Sequence, residues 1–421
     1  MATDAAPATA ARIPRPFALR FADDAERYGY YARMRRDSPV EQDAESGFWS
    51  VFRHADVLQV LSNPRLFSSD RIFQGPPPRA TQDAAADGEA ANARRPGLLA
   101  DTLISADPPR HTQLRAIVSR AFTPRAVAEL EPVIASLAAD LLDRVVAAGR
   151  MEVMADLAGP LPVTVIAQLL GIPLDDREQF KRWSDDLIGS SDAAAAATDF
   201  EVQRRAQESL ADYFRGVIAE KRARPADDLI SALIAAEVDG RVLTESELLG
   251  FCALLLVAGH ETTTNLIGNG FLCLLEHPEQ MERLRADPAL MPSAVEEMLR
   301  YSSPVQAIVR RAAQDVTVGG RLLPAGAGVV PWLGAANRDE QAFPDPERFD
   351  VGRTPNRQLA FGYGTHFCLG APLARLEGRI VLDAMLRRLG EPELDPETHL
   401  EWSPGFIRGL RRLPVRFRPA P

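Results

Sequence analysis

One cysteine lies in a segment whose composition suits chemistry at a thiol. The segment FGYGTHFCLG (residues 361–370) places Cys368 among three glycines and close to the aromatic rings of Phe361 and Phe367. A helical pattern starts directly after the segment, and a helix N-terminus stabilises a thiolate. The thiol is therefore a structural core residue, a nucleophile or a metal ligand.

The neighbours of Cys368 favour a metal that carries most of its own ligands. Gly364 and Gly370 permit backbone conformations that are closed to other residues. Zinc would need further Cys or His ligands at close spacing, which the segment lacks. A nucleophile would need a base; His366 is two residues away, but no Asn or Asp partner is evident. One protein ligand is enough for haem iron, which accepts an axial thiolate.

Four segments together resemble one enzyme family. The pattern F-G-x-G-x-H-x-C-x-G resembles the haem-binding signature of the cytochrome P-450 family. AGHETT (258–263), EEMLR (296–300) with the following PVQAIVRRA, and FPDPERFD (343–350) resemble that family in order and spacing. The resemblance covers nearly the whole chain. The sequence is similar to soluble bacterial members of the family that tailor macrolides and other polyketides. It implies the cytochrome P-450 fold, mainly α with small β-sheets, in which a long central buried helix lies over haem b.

A long helix is predicted at the centre of the chain. TESE (244–247) is a capping box. The pattern that it opens continues to about Glu276, which gives a helix about 48 Å long. After Leu248 the pattern is apolar nearly all round, so the helix is expected to be buried.

Smaller elements and the domain boundaries are predicted on both sides of that helix. The segment 316–332 predicts a β-hairpin with a Gly-Gly turn, followed by another strand. A last helix is predicted from about 370 to 389. Residues 1–15 are rich in Ala and Pro and are expected to be loose. Residues 16–421 are expected to form a single haem-thiolate monooxygenase domain.

The resemblance assigns catalytic roles to AGHETT. Thr262 would hydrogen-bond the dioxygen, and Glu261 would relay protons for O–O cleavage. The family places these residues beside a local distortion of the helix. Ala258 and Gly259 would leave room for the haem, oxygen and substrate. The structural alternative is that the threonine hydroxyl bonds back to the carbonyl four residues earlier. His260 is expected to be a surface or supporting residue, not a ligand.

Further residues are matched to the haem and to the loop that carries its thiolate. The resemblance implies a buried network that braces the cysteine loop; its members are Glu297, Arg300 and Arg348. Haem propionates need cationic or N–H donors, and the matching positions are His111, Arg115, Arg310 and His366. Phe361, Gly364 and Gly370 complete the cofactor-binding set around Cys368, which is also the metal ligand. The alternative for each cationic residue is an ordinary solvated side chain.

A substrate pocket is implied by resemblance alone. Its predicted lining residues are all apolar, and each is equally compatible with a core position: Phe73, Leu98, Leu99, Leu187, Leu254, Ile308 and Ile407. The low-complexity segment 75–97 is interpreted as a long loop, either an insertion or a lid over a binding site.

Composition limits the compartment and the partners. The net charge is −10, which disfavours nucleic acid as a partner. The three cysteines form no close pair, which indicates a reducing compartment. No secretory signal and no run long enough to span a bilayer is seen. The sequence therefore predicts a cytoplasmic protein with no membrane partner.

The predicted reaction is the insertion of one oxygen atom from O2 into a C–H or C=C bond of a hydrophobic small molecule, such as a macrolide, polyketide or terpenoid. No reductase motif is present, so a separate ferredoxin (or flavodoxin) and an NAD(P)H-dependent reductase are expected. Four arginines are candidates to receive an acidic ferredoxin: Arg115, Arg357, Arg375 and Arg379. A peroxide-driven peroxygenase and a non-catalytic haem-binding or sensor protein are the alternatives, and AGHETT disfavours both.

Overall fold

The computed structural model describes residues 21, 23–44, 46–70, 102–188, 196–403 and 405–419. The expected loose segment 1–15 and the predicted loop 75–97 lie outside these residues. Among the described residues, no helix is long and apolar enough to cross a bilayer.

Helices dominate the described part of the chain. In chain order they are α1 (Asp24–Asp37), α2 (His54–Ser62), α3 (Arg110–Ala121), α4 (Pro124–Ala128), α5 (Glu131–Val146), α6 (Pro160–Leu169), α7 (Arg177–Ile188), α8 (Ala196–Ala223), α9 (Leu229–Ala235), α10 (Glu245–Glu276), α11 (Pro278–Ala286), α12 (Met291–Tyr301), α13 (Leu333–Ala336) and α14 (Ala371–Arg388). A π-helical turn at Met154–Ala158 precedes α6, and a short 3₁₀ turn at Gly364–His366 lies within the cysteine segment.

Three small sheets accompany the helices. The first has five strands in the order β1 (Val40–Gln42), β2 (Trp49–Val51), β8 (Gly328–Pro331), β5 (Arg310–Ala312) and β3 (Phe67–Ser68). The second is β4 (Arg150–Glu152), β10 (Pro414–Pro419) and β9 (Leu389–Leu394). The third is the hairpin of β6 (Val316–Val318) and β7 (Arg321–Leu323).

The predicted hairpin is confirmed in detail. Gly319 and Gly320 connect β6 to β7, and their φ angles are +52° and +78°. Only glycine adopts two successive positive φ angles at little cost, and this geometry matches the twist of a two-residue hairpin. The mainly α fold with small sheets that the sequence predicted is therefore the observed one.

The long helix is α10, and it begins as predicted. The Thr244 hydroxyl accepts a hydrogen bond from the Glu247 amide, and the Glu247 carboxylate accepts one from the Thr244 amide. Most residues of α10 are buried, because the helix packs on α6, α12 and α14 inside the largest hydrophobic core. The chain is α-helical from Glu245 to Glu276 without interruption, so the expected local distortion near Thr262 is not observed.

Candidate active site

A large cavity lies between the middle of α10 and the cysteine segment. Its volume is about 920 Å³, which is at the upper end of the range for small-molecule and cofactor sites. Ala258 and Thr262 line one side, and Phe361 and Cys368 line the other. The cavity is therefore bounded by the two sequence segments that the motif analysis singled out.

Backbone geometry holds Cys368 at the edge of this cavity. The Cys368 amide donates to the Phe361 carbonyl at 2.9 Å, which closes the loop between them. Gly364 has a φ of +67°, and a Cβ there would lie 3.1 Å from the Leu61 carbonyl oxygen, so glycine is required. Gly370 has an ordinary φ of −79°, so its backbone does not use the conformations that only glycine permits.

The surroundings of the Cys368 thiol suit a metal ligand better than a free thiolate. Burial raises the pKa of the thiol, while the amides of Gly370 and Ala371 and the positive charges of Arg115 and Arg375 oppose that rise. These donors all stabilise negative charge on sulfur. A bound cation would oppose the effect of burial and stabilise the thiolate form of Cys368. Among the described residues, no group of three or more His, Cys, Asp or Glu side chains could hold a metal ion.

Four basic side chains form a cluster beside the same cavity, and two of them, His111 and Arg310, are buried. The rings of His111 and His366 lie 4.3 Å apart between centroids. Arg310 is buried, and its guanidinium donates to the carbonyl of its own neighbour, Val309, at 2.7 Å. Arg115 donates to the carbonyls of the cysteine segment at residues 365 and 367. The structure thus brings together all four residues predicted to face the propionates.

In the described part of the chain, positive charge outweighs negative charge at this cluster. Burial, followed by the charges of Arg310, His111 and Arg115, lowers the pKa of His366 to about 3. Burial also lowers the pKa of Arg310 to about 10. Asp107 is the acid that opposes these shifts at His111 and Arg310, and its carboxylate is already bonded to the Ser68 hydroxyl and the Ser69 amide.

Orphaned polar atoms give the same indication. Within the described structure, both ring nitrogens of the buried His111 and the Nε2 atom of His366 have no hydrogen-bond partner. Such groups are costly unless a ligand satisfies them. A ligand with two carboxylates beside a metal would satisfy them, and haem has this chemistry. The residues present therefore fit haem b, with Cys368 as the axial ligand and the basic cluster at its propionates.

The α10 side of the cavity contains the predicted AGHETT residues in a specific arrangement. The Thr262 hydroxyl donates to the Ala258 carbonyl at 2.6 Å, so the back-bonded alternative is the observed geometry. Thr262 and Gly259 both line the cavity. A Cβ on Gly259 would lie 2.7 Å from Ile166 Cδ1, so glycine allows the close approach of α6 to α10.

The other polar residues of this motif occupy different environments. Glu261 is half-buried and is not among the residues that line the cavity. His260 is 4 % exposed, so the surface alternative for His260 is wrong and it belongs to the interior of the helix packing. The proton-relay role of Glu261 stays a prediction.

The buried charged network that supports the cysteine loop differs from the predicted network in one residue. Arg300 forms a bidentate pair with Glu297 at 2.7 and 2.9 Å, and both side chains are fully buried. The third arginine is Arg353, whose Nε lies 3.0 Å from Glu297 Oε1. The Arg348 side chain is 63 % exposed and lies 3.7 Å from Asp350. The prediction of Arg348 is therefore wrong.

The sequence pattern could not separate these two arginines. Arg348 contributes its carbonyl, which accepts hydrogen bonds from Arg300 and Arg353. The family pattern matched PERF correctly as a segment, but the backbone there presents a carbonyl and not a guanidinium. Arg353 lies only five residues later in DVGRT, so the missed signal was a second arginine next to the same segment.

Three of the residues predicted to line the substrate pocket lie at the cavity, and the side chains of the others fall outside the described part of the structure. Leu254, Ile308 and Ile407 line the cavity as predicted. Phe73, Leu98 and Leu99 lie outside the described residues, and so does the side chain of Leu187. Six further apolar residues also line the cavity: Leu103, Ile104, Ile166, Leu169, Phe251 and Phe406. Their residue types alone do not separate them from core residues.

Comparisons with known proteins agree with this geometry. The sequence profile of the family described as Cytochrome P450 matches residues 80–409. Cytochrome P450 109 of Bacillus spizizenii is 42% identical over 392 residues, which cover 92% of this chain and 90% of the relative. Erythromycin C-12 hydroxylase of Saccharopolyspora erythraea is 41% identical over 404 residues, covering 94% and 95%.

A solved structure supports the fold directly. Substrate-free CYP109E1 from Bacillus megaterium superimposes with a TM-score of 0.85 at 42% identity, over 93% of this chain and 98% of that one. The thiol held by helix-end amides, the basic cluster and the matching sequence and structure lead to one conclusion. The chain belongs to the cytochrome P450 family of haem-thiolate monooxygenases.

Proposed function

We propose that this enzyme inserts one oxygen atom from O2 into a C–H or C=C bond of a neutral, hydrophobic small molecule, with electrons from a separate ferredoxin or flavodoxin and an NAD(P)H-dependent reductase. A macrolide or other polyketide, or a terpenoid, fits this description. Among the relatives, one is named as a hydroxylase of erythromycin, another as an epoxidase of cyclomarin C, and CYP109E1 has been solved with testosterone.

The observation that carries the substrate class is the apolar wall above Cys368. Phe251 and Leu254 of α10, Ile166 of α6, and Ile308 and Ile407 contribute apolar surface. The basic side chains that line the described cavity are those of Arg115, Arg310, Arg311 and His366, and all but Arg311 belong to the cluster assigned to the propionates. A charged substrate would leave its charge unpaired against the apolar wall. The apolar wall therefore favours a substrate that is uncharged and mostly hydrocarbon.

Thr262 has a defined part in proton handling. Its hydroxyl proton is donated to the Ala258 carbonyl, so its oxygen is left as an acceptor. In this geometry Thr262 accepts a hydrogen bond from a group that has been protonated from elsewhere, and its own hydroxyl does not donate to that group. Glu261, the next residue toward the N-terminus, is the candidate to bring that proton from solvent, because it is half-buried. Haem, when bound, supplies the activation of O2, and the thiolate of Cys368 favours cleavage of the O–O bond.

The four arginines predicted for the electron-transfer partner do not all remain candidates. Arg375 is paired with Glu296, and Arg115 donates to the carbonyls of the cysteine segment. Arg357 is exposed, and Arg379 is partly exposed at 3.4 Å from Glu131. Arg357 and Arg379 are therefore the residues that we propose to receive an acidic partner.

Binding and turnover test the proposed substrate class. A panel of neutral steroids, macrolides and terpenoids, each with a carboxylated analogue, is titrated while the spin-state change of the haem is recorded. We expect the neutral member of a pair to bind at least about tenfold more tightly, since the carboxylate must lose its hydration. Tighter binding of the carboxylated members would overturn the proposal.

Labelled oxygen tests the reaction itself. With reductase, ferredoxin and NADPH under ¹⁸O2, one labelled atom in the product is expected. Product that forms with hydrogen peroxide but not with the electron-transfer proteins would identify a peroxygenase instead. Arg357→Glu and Arg379→Glu are expected to slow haem reduction by ferredoxin and to leave reduction by dithionite unchanged. The matched control is Arg321→Glu on the exposed strand β7; an equal effect there would remove the docking assignment.

A further inference from the structure

Two consecutive glutamates of α12 bind the segment that leads into the cysteine loop. Glu297 bonds to Arg353, to the Asp350 amide and to the Asn356 side chain. Its neighbour Glu296 bonds to a different set of residues further along. Two neighbouring acidic side chains of α12 therefore bind the chain between residues 350 and 358.

Glu296 forms the centre of the second set. Its carboxylate forms a bidentate pair with Arg375 of α14 at 2.5 and 3.0 Å. It also accepts a hydrogen bond from Gln358 at 3.0 Å, and the Gln358 side-chain carbonyl accepts one from the Ala360 amide. This bidentate geometry is the strong form of an arginine–carboxylate interaction. Both side chains are partly buried, at 27 % and 37 % exposed, so solvent screens the pair less than it would a surface pair.

The same arginine reaches the residue that closes the cysteine loop. The Arg375 guanidinium lies over the Phe361 ring, 4.6 Å from its centroid. The Phe361 carbonyl accepts the hydrogen bond from the Cys368 amide at 2.9 Å. Arg375 is thus held by Glu296 on one side and packs on Phe361 on the other, and its positive charge favours the thiolate form of Cys368.

We propose that Glu296 and Arg375 form a positioning pair that fixes Phe361 above the loop and balances the charge felt by the Cys368 thiolate. Arg375 contributes positive charge near the sulfur, and Glu296 offsets it. This inference rests on the haem-thiolate of the family and not on the proposed substrate or electron donor, so it stands or falls separately from them.

Removing the positive or the negative charge of the pair is expected to shift the haem reduction potential in opposite directions. Reduction adds an electron to the haem, so a nearby positive charge favours the reduced state and a nearby negative charge disfavours it. Arg375→Gln leaves Glu296 uncompensated and is expected to lower the haem reduction potential. Glu296→Gln leaves Arg375 uncompensated and is expected to raise it. In the double variant the two changes cancel, and Arg375→Lys keeps the charge and the wild-type potential.

A second arginine–glutamate pair, whose arginine lies on the same helix as Arg375, provides the control. Arg379 lies one turn beyond Arg375 and pairs with Glu131, and both side chains are more exposed. Arg379→Gln and Glu131→Gln make identical charge changes further from the loop, and they are expected to shift the potential less. The potential is measured by spectroelectrochemistry of the purified haem protein without substrate. In parallel, the spectrum of the reduced protein with carbon monoxide gives the fraction of thiolate-ligated haem.

The outcomes separate charge from packing. Shifts of opposite sign for the two single variants, larger than those of the control pair, support the proposal. Shifts of the same sign, or no larger than the controls, overturn it. If a single variant loses haem, retention of haem in Arg375→Lys supports the role of the charge. Loss of haem in Arg375→Lys as well assigns the effect to packing alone and overturns the proposal.

Discussion

Arg353 donates to Glu297 at 3.0 Å and completes the buried Glu297–Arg300 pair below the cysteine loop. Its guanidinium also donates to the carbonyls of Pro344, Asp345 and Arg348. A single side chain thus connects α12 to the irregular segment that precedes the cysteine. Removing the Arg353 side chain leaves the fully buried carboxylate of Glu297 with one positively charged partner fewer.

Arg353→Ala is therefore expected to destabilise the protein strongly. Breaking a buried ion pair by removal of one partner costs about 3–5 kcal/mol. Arg348→Ala removes a largely exposed side chain and is expected to cost under about 1 kcal/mol. Chemical unfolding of the haem-bound protein, followed by circular dichroism, measures both. Equal costs for the two variants would contradict the observed assignment.

The basic cluster predicts how tightly the haem is held. Arg310→Gln or His366→Ala removes one donor to a propionate, and each such charge-assisted bond contributes about 1.5–3 kcal/mol. Haem loss to an excess of a haem-scavenging protein is therefore expected to be about 10–100-fold faster. Arg321→Gln, at an exposed position on β7, is the control. Unchanged haem loss in both cluster variants would show that these residues do not reach the propionates.

Thr262 predicts a loss of coupling between oxygen consumption and product formation. Thr262→Val removes the acceptor oxygen and is expected to reduce product formation by roughly 10²-fold, a typical effect for a positioned proton-transfer group. NADPH consumption continues, and the missing product is replaced by hydrogen peroxide. Thr262→Ser keeps the hydroxyl and should restore most of the coupling. A serine variant as uncoupled as the valine variant would argue against the hydroxyl.

The buried carboxyl group of Glu377 is expected to make the free energy of unfolding depend on pH. It is a buried residue of α14 that also lines the cavity, and burial raises the pKa of its carboxyl to about 8. The folded state therefore keeps a proton that the unfolded state releases above a pKa of 4.5. Stability falls as the pH rises from about 4.5 to about 8, by on the order of 5 kcal/mol.

The matched variant for that prediction is Glu377→Gln, which resembles the protonated acid at every pH. Its free energy of unfolding is expected to be within about 1 kcal/mol of wild type at pH 5 and well above wild type at pH 9. Comparing the two proteins at each pH cancels the titration of all other groups. A difference between them that does not change with pH would contradict a protonated Glu377.

Sequence patterns predicted the elements whose signals are local. The capping box at Thr244, the Gly-Gly hairpin and the final helix after Gly370 all have a short sequence signature with one structural solution, and the structure contains each of them. The thiol of Cys368 was singled out from its surroundings in the sequence, whereas the four basic residues were matched through the family resemblance; the structure brings those four together.

The remaining features depend on tertiary packing. Whether Arg348 or Arg353 turns toward Glu297 depends on the path of the irregular segment, which no periodicity encodes. The pair of Glu296 with Arg375 joins residues 79 positions apart, so spacing could not reveal it. Apolar lining residues such as Ile166 and Phe251 resemble core residues until the cavity is seen.

The most direct test is the absorption spectrum of the reduced protein with carbon monoxide, recorded for wild type, Cys368→Ser and the control Cys252→Ala. Cys252 is a buried thiol on α10 that is not among the residues lining the cavity. The strongly red-shifted Soret band of a thiolate-ligated haem is expected in wild type and in Cys252→Ala, and it should be lost in Cys368→Ser. A band typical of a neutral ligand in wild type, unchanged by Cys368→Ser, would contradict the assignment of Cys368 and the mechanism that depends on it.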